Sequence, residues 1–499
     1  MSNRKGVKNH KKNSKFKPKT YVITSAQAIQ SEKNEDHYGR DSARGAPNEN
    51  LMEGLLKYCE RNGAELKILS MQGMNSTETE LHEYFSEEIE EKEKGEVLYS
   101  MRQKDCPLNQ NVKISNMVEP PQNMNIPNTR DRFVQRDQSV VMAHTKQSLR
   151  CVPTGNKKFP KVITTTGCCT HPNYDIDKDL AIGNRRADIA LRDHEYGAVV
   201  VEIISPTHYN IRHLTAQANG KFVDMGKKFD GKERVTKVES DALVLGDLHV
   251  GETDEQTMTA NYEMINFFKP KVLVIHDLAN SYSVNPHEKD DCVSRAIRAR
   301  LGKLNLENEL EEYYYTLCGL GREIGRKGEV LITPSNHDNF IYRYIALGDF
   351  PHDEINAGIA SYLFKIAIEE CDDPAEAANV VVEEGIKKMG KLPSNIRFLK
   401  FEDNVQIRGY QLANHGHLGH SGGRGSTRSQ ELMYGKSITG HTHSPEKLRD
   451  TYVVGTSSRL DLAYIRGQGS KWMAANAVIY EGGFVQLLPI INGKWKRKK

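Results

Sequence analysis

Five times between residues 241 and 445 a short apolar run ends in a cluster of Asp, Asn or His. The runs read "DALVLGDLHVG" (241–251), "KVLVIHDLAN" (271–280), "GEVLITPSNHDN" (328–339), "QLANHGHLG" (411–419) and "KSITGHTHSP" (436–445). Continuous apolar runs mark strands buried on both faces, as inside a layered α/β fold. In such folds ligands collect beyond the carboxyl ends of the strands. Five strand ends converging on one edge would therefore build a polar site there. Between the runs, "DEQTMTANYEMINFF" (254–268) and "DEINAGIASYLFKIAIEEC" (353–371) space their apolar residues as helices do, and a further helix is expected over about 374–390.

The clusters contain Asp247 and His249, then Asp277, then Asn336, His337 and Asp338, then His415 and His417, and last His441 and His443. One histidine after one strand is ordinarily a structural residue. Repetition in the order D-x-H, D, N-H-D, H-G-H, G-H-T-H is not ordinary. Carboxylate, amide oxygen and imidazole are hard to borderline donors that suit Mn²⁺, Fe or Zn²⁺, and the absence of thiolate argues against a structural zinc site. One ion does not need this many donors. Two ions about 3.5–4 Å apart, sharing a carboxylate, do.

This motif order resembles that of the calcineurin-like metallophosphoesterase superfamily, whose motifs run D-x-H, G-D, G-N-H-[DE], H and G-H-x-H, over about residues 241–460. The resemblance implies an α/β fold built as a β-sandwich flanked by helices, with an additional α+β region ahead of it. It implies two divalent metal ions, with Mn²⁺ expected first and Mg²⁺, Fe or Zn²⁺ as alternatives. By position, Asp247, His249 and His443 would hold one ion, Asp277 would bridge, and Asn336, His415 and His441 would hold the other. His337 would stabilise the transition state or protonate the leaving oxygen, and Asp338 would orient His337. Two positions depart from the pattern: His276 precedes Asp277 and Ser335 precedes Asn336 where glycine is usual. The ligand positions are kept, so the departures bear on the local backbone path. His276 is either a packing residue or a substrate contact.

Other stretches, "TYVITSAQ", "ITTTGCCTHPNY", "PSNHDNFIYRYI", "GGRGS" and "VGTSSRLDLAYIRGQGSKW", resemble a phage-encoded branch of that superfamily linked to degradation of host DNA. That resemblance implies a metal-dependent DNase, DNA as partner, a homo-oligomer, and residence in the host bacterial cytoplasm. The alternatives are a phosphomonoesterase or protein phosphatase on the same site, or a DNA-binding host-takeover protein with weak catalysis. Candidate substrate contacts are Arg343, one helical turn or so past the N-H-D motif, and Arg424 and Arg428 in the glycine-rich "GHSGGRGSTR" (419–428). Arg343 could equally be a surface ion-pair partner, and 419–428 a plain loop. His417, two residues past a ligand position, and His287, in a loop beyond the second motif, complete the set.

The length of 499 residues suggests about two domains. The boundaries expected are a basic tail over 1–19, an α+β region over 20–238, the metallophosphoesterase-like domain over 239–488 with a helical insertion at about 352–392, and a basic tail over 489–499. Within the second unit, "TYVIT" (20–24), "ELKILSM" (65–71), "KVITTTG" (161–167) and "YGAVVVEIIS" (196–205) read as strands, and 50–62 as a helix. The Asn-, Gln- and Pro-rich stretch 103–160 reads as irregular, and the acidic 86–96 as a solvated face. The basic ends are either solvated tails or tethers to a phosphate backbone. No apolar run reaches about 18 residues, so no membrane span is expected. The N-terminus lacks the apolar core of a secretory signal. The 8 cysteines show no C-x-x-C spacing, which fits a reducing compartment.

Overall fold

The computed structural model describes residues 16–497 apart from 30–43, 74–78, 93, 99–103, 118, 122–125, 129, 131–133, 135–137, 156–158, 175–180, 349 and 463–466. Most of the basic N-terminal tail and the last two lysines lie outside the described residues.

The apolar runs become strands where expected. Ser240–Val244, Val272–Ile275, Glu329–Ile332 and Ile396–Phe398 lie side by side and parallel. Ala474–Tyr480 and Val485–Ile490 add antiparallel strands beyond Ser240–Val244 and complete a six-stranded sheet. Alternation along the first strand assigns its faces. Leu243 joins Met264, Ile265, Leu310 and Leu317 of helices Glu255–Phe268 and Leu306–Ile324 in one core. Ala242 and Val244 join a second core with Leu149, Ile438 and Tyr452. Those three belong to a ten-stranded sheet, so the layers run helices, sheet, sheet. Helices Asp338–Ala346, Ala357–Glu370 and Pro374–Met389 share the helical layer. The chain is of the mixed α/β class. Among the described residues no helix is long and apolar enough to cross a membrane.

The ten-stranded sheet draws on both halves of the chain. Gln406–Ile407, Tyr410–Gln411, Ser437–Thr439, Thr451–Val453 and Glu446–Leu448 supply one side. Ser148–Val152, Lys161–Thr165, Ser139–Met142, Val112–Ile114 and Cys106–Pro107 supply the other. The seam is the antiparallel pair Glu446–Leu448 with Ser148–Val152, with Lys447 opposite Leu149. A boundary at 238/239 therefore separates segments that share one sheet. The stretch 103–160, read from its sequence as irregular, supplies four of these strands. They run only two to five residues, too short for a period-two pattern to stand out among the Asn and Pro residues.

Ahead of this, Lys19–Gln27 pairs parallel with Ala64–Met71 and antiparallel with Gly197–Ile203, in a five-stranded sheet. Helix Glu49–Asn62, capped by Asn48, covers one face with Leu51, Leu55 and Tyr58. A buried ion pair ties this sheet to the rest. Arg212 donates to both carboxylate oxygens of Asp224, at 2.7 and 2.9 Å, and to Glu202 at 3.1 Å. Gln486 of the last strand donates to Asp224 at 2.8 Å. Removing one partner of a buried pair strands the other charge, so Arg212→Ala is expected to lower unfolding stability by about 3–5 kcal/mol. Urea denaturation measures this; a loss below about 1 kcal/mol would place the network at an exposed, screened site instead.

The C-terminal segment is not a free tail as far as residue 497. Trp495 is 2% exposed and packs on Phe267 and Phe268, with ring centroids 5.4 and 5.5 Å away. The backbone amide of Arg497 donates to Glu202 at 2.9 Å. The indole brings enough apolar surface to anchor the cations around it.

Candidate metal centre

Three of the five motif loops leave the six-stranded sheet, and two leave the ten-stranded sheet. The expected single edge is thus corrected to the joint end of two packed sheets. The loops are braced by backbone. His249 N donates to Asp277 O at 2.9 Å, and Gly440 N to His415 O at 2.8 Å. His441 N donates to Asp247 Oδ2 at 2.7 Å, joining the two sheets through a site residue.

Four site residues have left-handed backbone: His249 (φ 47°), Asp277 (φ 46°), His441 (φ 76°) and His443 (φ 55°). Side chains larger than glycine rarely adopt this region. Such strain persists where surrounding structure enforces it, and it clusters at functional sites. It turns each side chain sharply inward at the strand end. Gly440 is needed for closeness: a Cβ there would land on Asp247 Oδ1 and stand 3.1 Å from His276 Cβ. Gly440→Ala is expected to weaken metal binding at least about tenfold and to lower stability by about 1–3 kcal/mol, the usual range for overpacking. Metal titration and urea unfolding test this; unchanged affinity would show that the loop simply moves aside.

The side chains converge as the motif order implies. His249 Nε2 lies 2.8 Å from His443 Nε2 and 3.4 Å from Asp277 Oδ2. His443 Nε2 lies 3.2 Å from Asp247 Oδ2. His415 Nε2 lies 3.5 Å from Asp277 Oδ2, and His441 Nδ1 3.2 Å from Asn336 Oδ1. Asp247, His249, Asp277 and His443 are all buried and offer donor atoms within 4.8 Å of one another.

The buried carboxylates and imidazoles set one another's charge. Burial pushes the Asp277 carboxyl upward, but His337, His249 and His415 outweigh it and hold it well below its ordinary range. Asp247 is also held low, with His415 and His443 overcoming its burial. Burial presses His415 down, yet Asp277 and Asp247 lift it to about 9. Burial drops His249 to about 3 and His441 to about 4, leaving neutral imidazoles with free lone pairs. Asp247 Oδ1, Asp277 Oδ1, both ring nitrogens of His415, and Nδ1 of His249 and His443 are buried without a hydrogen-bond partner. This Asp/His cluster can hold a metal ion, with Asp247, His249, Asp277 and His443 each offering a donor atom.

His337 is half-buried, with its ring 4.6 Å from that of His249. Its expected orienter, Asp338, does not hold it. Asp338 begins helix Asp338–Ala346 and accepts from the Ala279 amide at 3.4 Å. His337 Nδ1 instead meets the Asn280 carbonyl at 3.4 Å. A carbonyl can only accept, so Nδ1 carries the hydrogen. Asn280 was not singled out from the sequence, because a backbone carbonyl leaves no residue-type signal. Its loop is pinned: Asn280 N and Ser281 N donate to Tyr313 OH at 3.1 and 3.0 Å, and Tyr282 N donates to Glu309 at 2.8 Å.

Burial raises the Glu309 carboxyl from 4.5 to about 7, against the hydrogen bonds it accepts from Ser283 and Tyr282. A raised folded value means stability present below the unfolded pKa and lost as pH climbs through the folded one. Glu309 should therefore contribute stability that is lost between about pH 4.5 and 7, and Glu309→Gln should gain stability relative to wild type as pH rises through that window. Parallel urea curves at both pH values for wild type and variant would contradict this.

The remaining candidates separate. His276 is fully buried with Nδ1 2.8 Å from Thr333 Oγ1, which makes it a packing residue. His417 lies against the site, its ring 5.6 Å from His415 and 6.1 Å from His441. His287 is exposed, with its ring 5.5 Å from Phe340, which in turn lies 4.8 Å from His337. Arg343, Arg424 and Arg428 are exposed. The loop carrying Arg424 is ordered by bonds from Gly425 N to His417 O at 3.0 Å and from Gly419 N to Gly423 O at 2.7 Å, and Ser426 then caps helix Thr427–Tyr434. Trp472 is a site residue the motifs did not mark: its ring lies 4.2 Å from that of His443.

No family model and no solved structure matches the chain. It is similar to Protein A1 of Escherichia phage T5, 25% identical over 376 residues, which cover 72% of this chain and 64% of that protein. The match spans less than two-thirds of the relative's length, and it supports a relationship to a phage protein.

Proposed function

We propose that this chain is a DNA phosphodiesterase of the calcineurin-like metallophosphoesterase type, using two divalent ions, Mn²⁺ foremost. The observation that carries the reading is the place of Asp277. Its Oδ2 lies 3.4 Å from His249 Nε2 and 3.5 Å from His415 Nε2, so one carboxylate stands between two donor sets. Asp247, His249 and His443 would hold one ion; Asn336, His415 and His441 would hold the other. Such a pair supplies charge neutralisation at a phosphoryl oxygen and a water of lowered pKa.

The chain's own residues do the rest. The Asn280 carbonyl fixes Nδ1–H of His337, leaving Nε2 to hold and release a proton toward the leaving oxygen. The loop ordered by Tyr313 and Glu309 keeps that carbonyl in place. DNA as substrate is supported by the first 19 residues, rich in Lys and Arg and free of acid, and by the kinship with a phage protein. A homo-oligomer in the host bacterial cytoplasm belongs to the same reading.

The test is hydrolysis of circular and linear DNA with Mn²⁺, Mg²⁺ or Co²⁺, beside p-nitrophenyl and bis-p-nitrophenyl phosphate. Cleaved DNA and turnover of the diester are expected. Turnover of the monoester alone assigns a phosphatase. DNA binding with neither turnover nor bound metal assigns a binding protein.

A further inference from the structure

Trp472 is one of 2 tryptophans in the chain. The other, Trp495, is buried in the core, whereas Trp472 is only half-buried. Its ring centroid lies 4.2 Å from that of His443, with 69° between the ring planes. From there ring contacts continue to His249 at 4.8 Å and to His337 at 4.6 Å. The backbone that carries the indole is fixed. Met473 N donates to the His443 carbonyl at 3.0 Å, and Trp472 N to Ser470 Oγ at 3.0 Å. The cleft beside it, lined by Thr154, Pro160, Lys161 and Lys471 among others, has a volume of about 40 Å³. That is room for a water or two and not for a base. On the His417 side, Phe401 is 48% exposed with its ring 6.3 Å away.

A part-exposed indole beside a phosphodiester site has a plain use. Base–aromatic stacking binds single strands without sequence preference, because every base has a π-face. In a duplex those faces are occupied by neighbouring bases. We infer that Trp472 is a stacking platform for an unpaired nucleobase next to the metal centre, with Phe401 as a second ring beyond it. The strand bound at the scissile position is then single-stranded or locally opened. This rests on the phosphodiesterase reading above and specifies its substrate.

The experiment compares full-length, metal-loaded protein binding to phosphorothioate-linked oligothymidylate and to an abasic strand of equal length. Both carry the same backbone charge, so the ratio of affinities reads stacking alone. Wild type is expected to prefer the thymidylate about tenfold. Trp472→Ala should abolish most of that preference with unchanged metal content, Trp472→Phe should keep most of it, and Phe401→Ala should remove a smaller part. A wild type that does not distinguish the strands, or a Trp472→Ala variant that keeps the full preference, overturns the platform. Failure of the wild type to hydrolyse any phosphodiester overturns the underlying reading instead, and that is measured separately.

Discussion

Asp277→Ala is expected to reduce metal-dependent phosphodiester hydrolysis roughly a thousandfold or more and to strip bound metal from the protein. The carboxylate is 1% exposed, and its Oδ2 faces both His249 and His415. No neighbour can replace it. Asp247 already accepts from the His441 amide and faces His443. Asp277→Asn keeps the shape and removes the charge, so it separates geometry from electrostatics. Turnover of bis-p-nitrophenyl phosphate and metal content per chain are the measurements. A variant that retains its full complement of metal would sink the bridging role.

His337→Ala is expected to behave differently, lowering kcat roughly a hundredfold while leaving metal content intact. The imidazole is positioned by a carbonyl rather than by the metal-ligand set. The deficit should shrink for a p-nitrophenolate leaving group, which departs without help from an acid, and be largest for DNA. Asp338→Ala should have a smaller effect on kcat, because that carboxylate binds the Ala279 amide. Equal losses from both leaving groups would mean His337 acts on binding rather than on the leaving oxygen.

The donor set was legible in the chain because it follows one rule five times: an apolar strand, then hard or borderline donors. The strands were legible as continuous apolar runs, and the helices Glu255–Phe268 and Glu49–Asn62 by apolar periodicity over more than ten residues. The partner of His337 was not. A carboxylate one residue along looks like an orienter, yet the first turn of helix Asp338–Ala346 points it at a backbone amide. Nor were the short strands of 106–152 legible, since two to five residues carry too little pattern, and one of them, Ser148–Val152, pairs with residues some three hundred positions away.

What the sequence by itself determined is the chemistry: which side chains are present, in what order, and at strand ends. Local patterning is enough for that, because donor type and strand burial are written in single residues and their neighbours. Only the tertiary structure decided that the donors meet at the joint end of two sheets, that all five motif segments brace one another, and that Trp472 stands against His443. It also decided the left-handed backbone at His249, Asp277, His441 and His443. None of these residues prefers that conformation. Packing of the two sheets and the bonds between their loops enforce it, and such energies belong to the folded whole rather than to any segment.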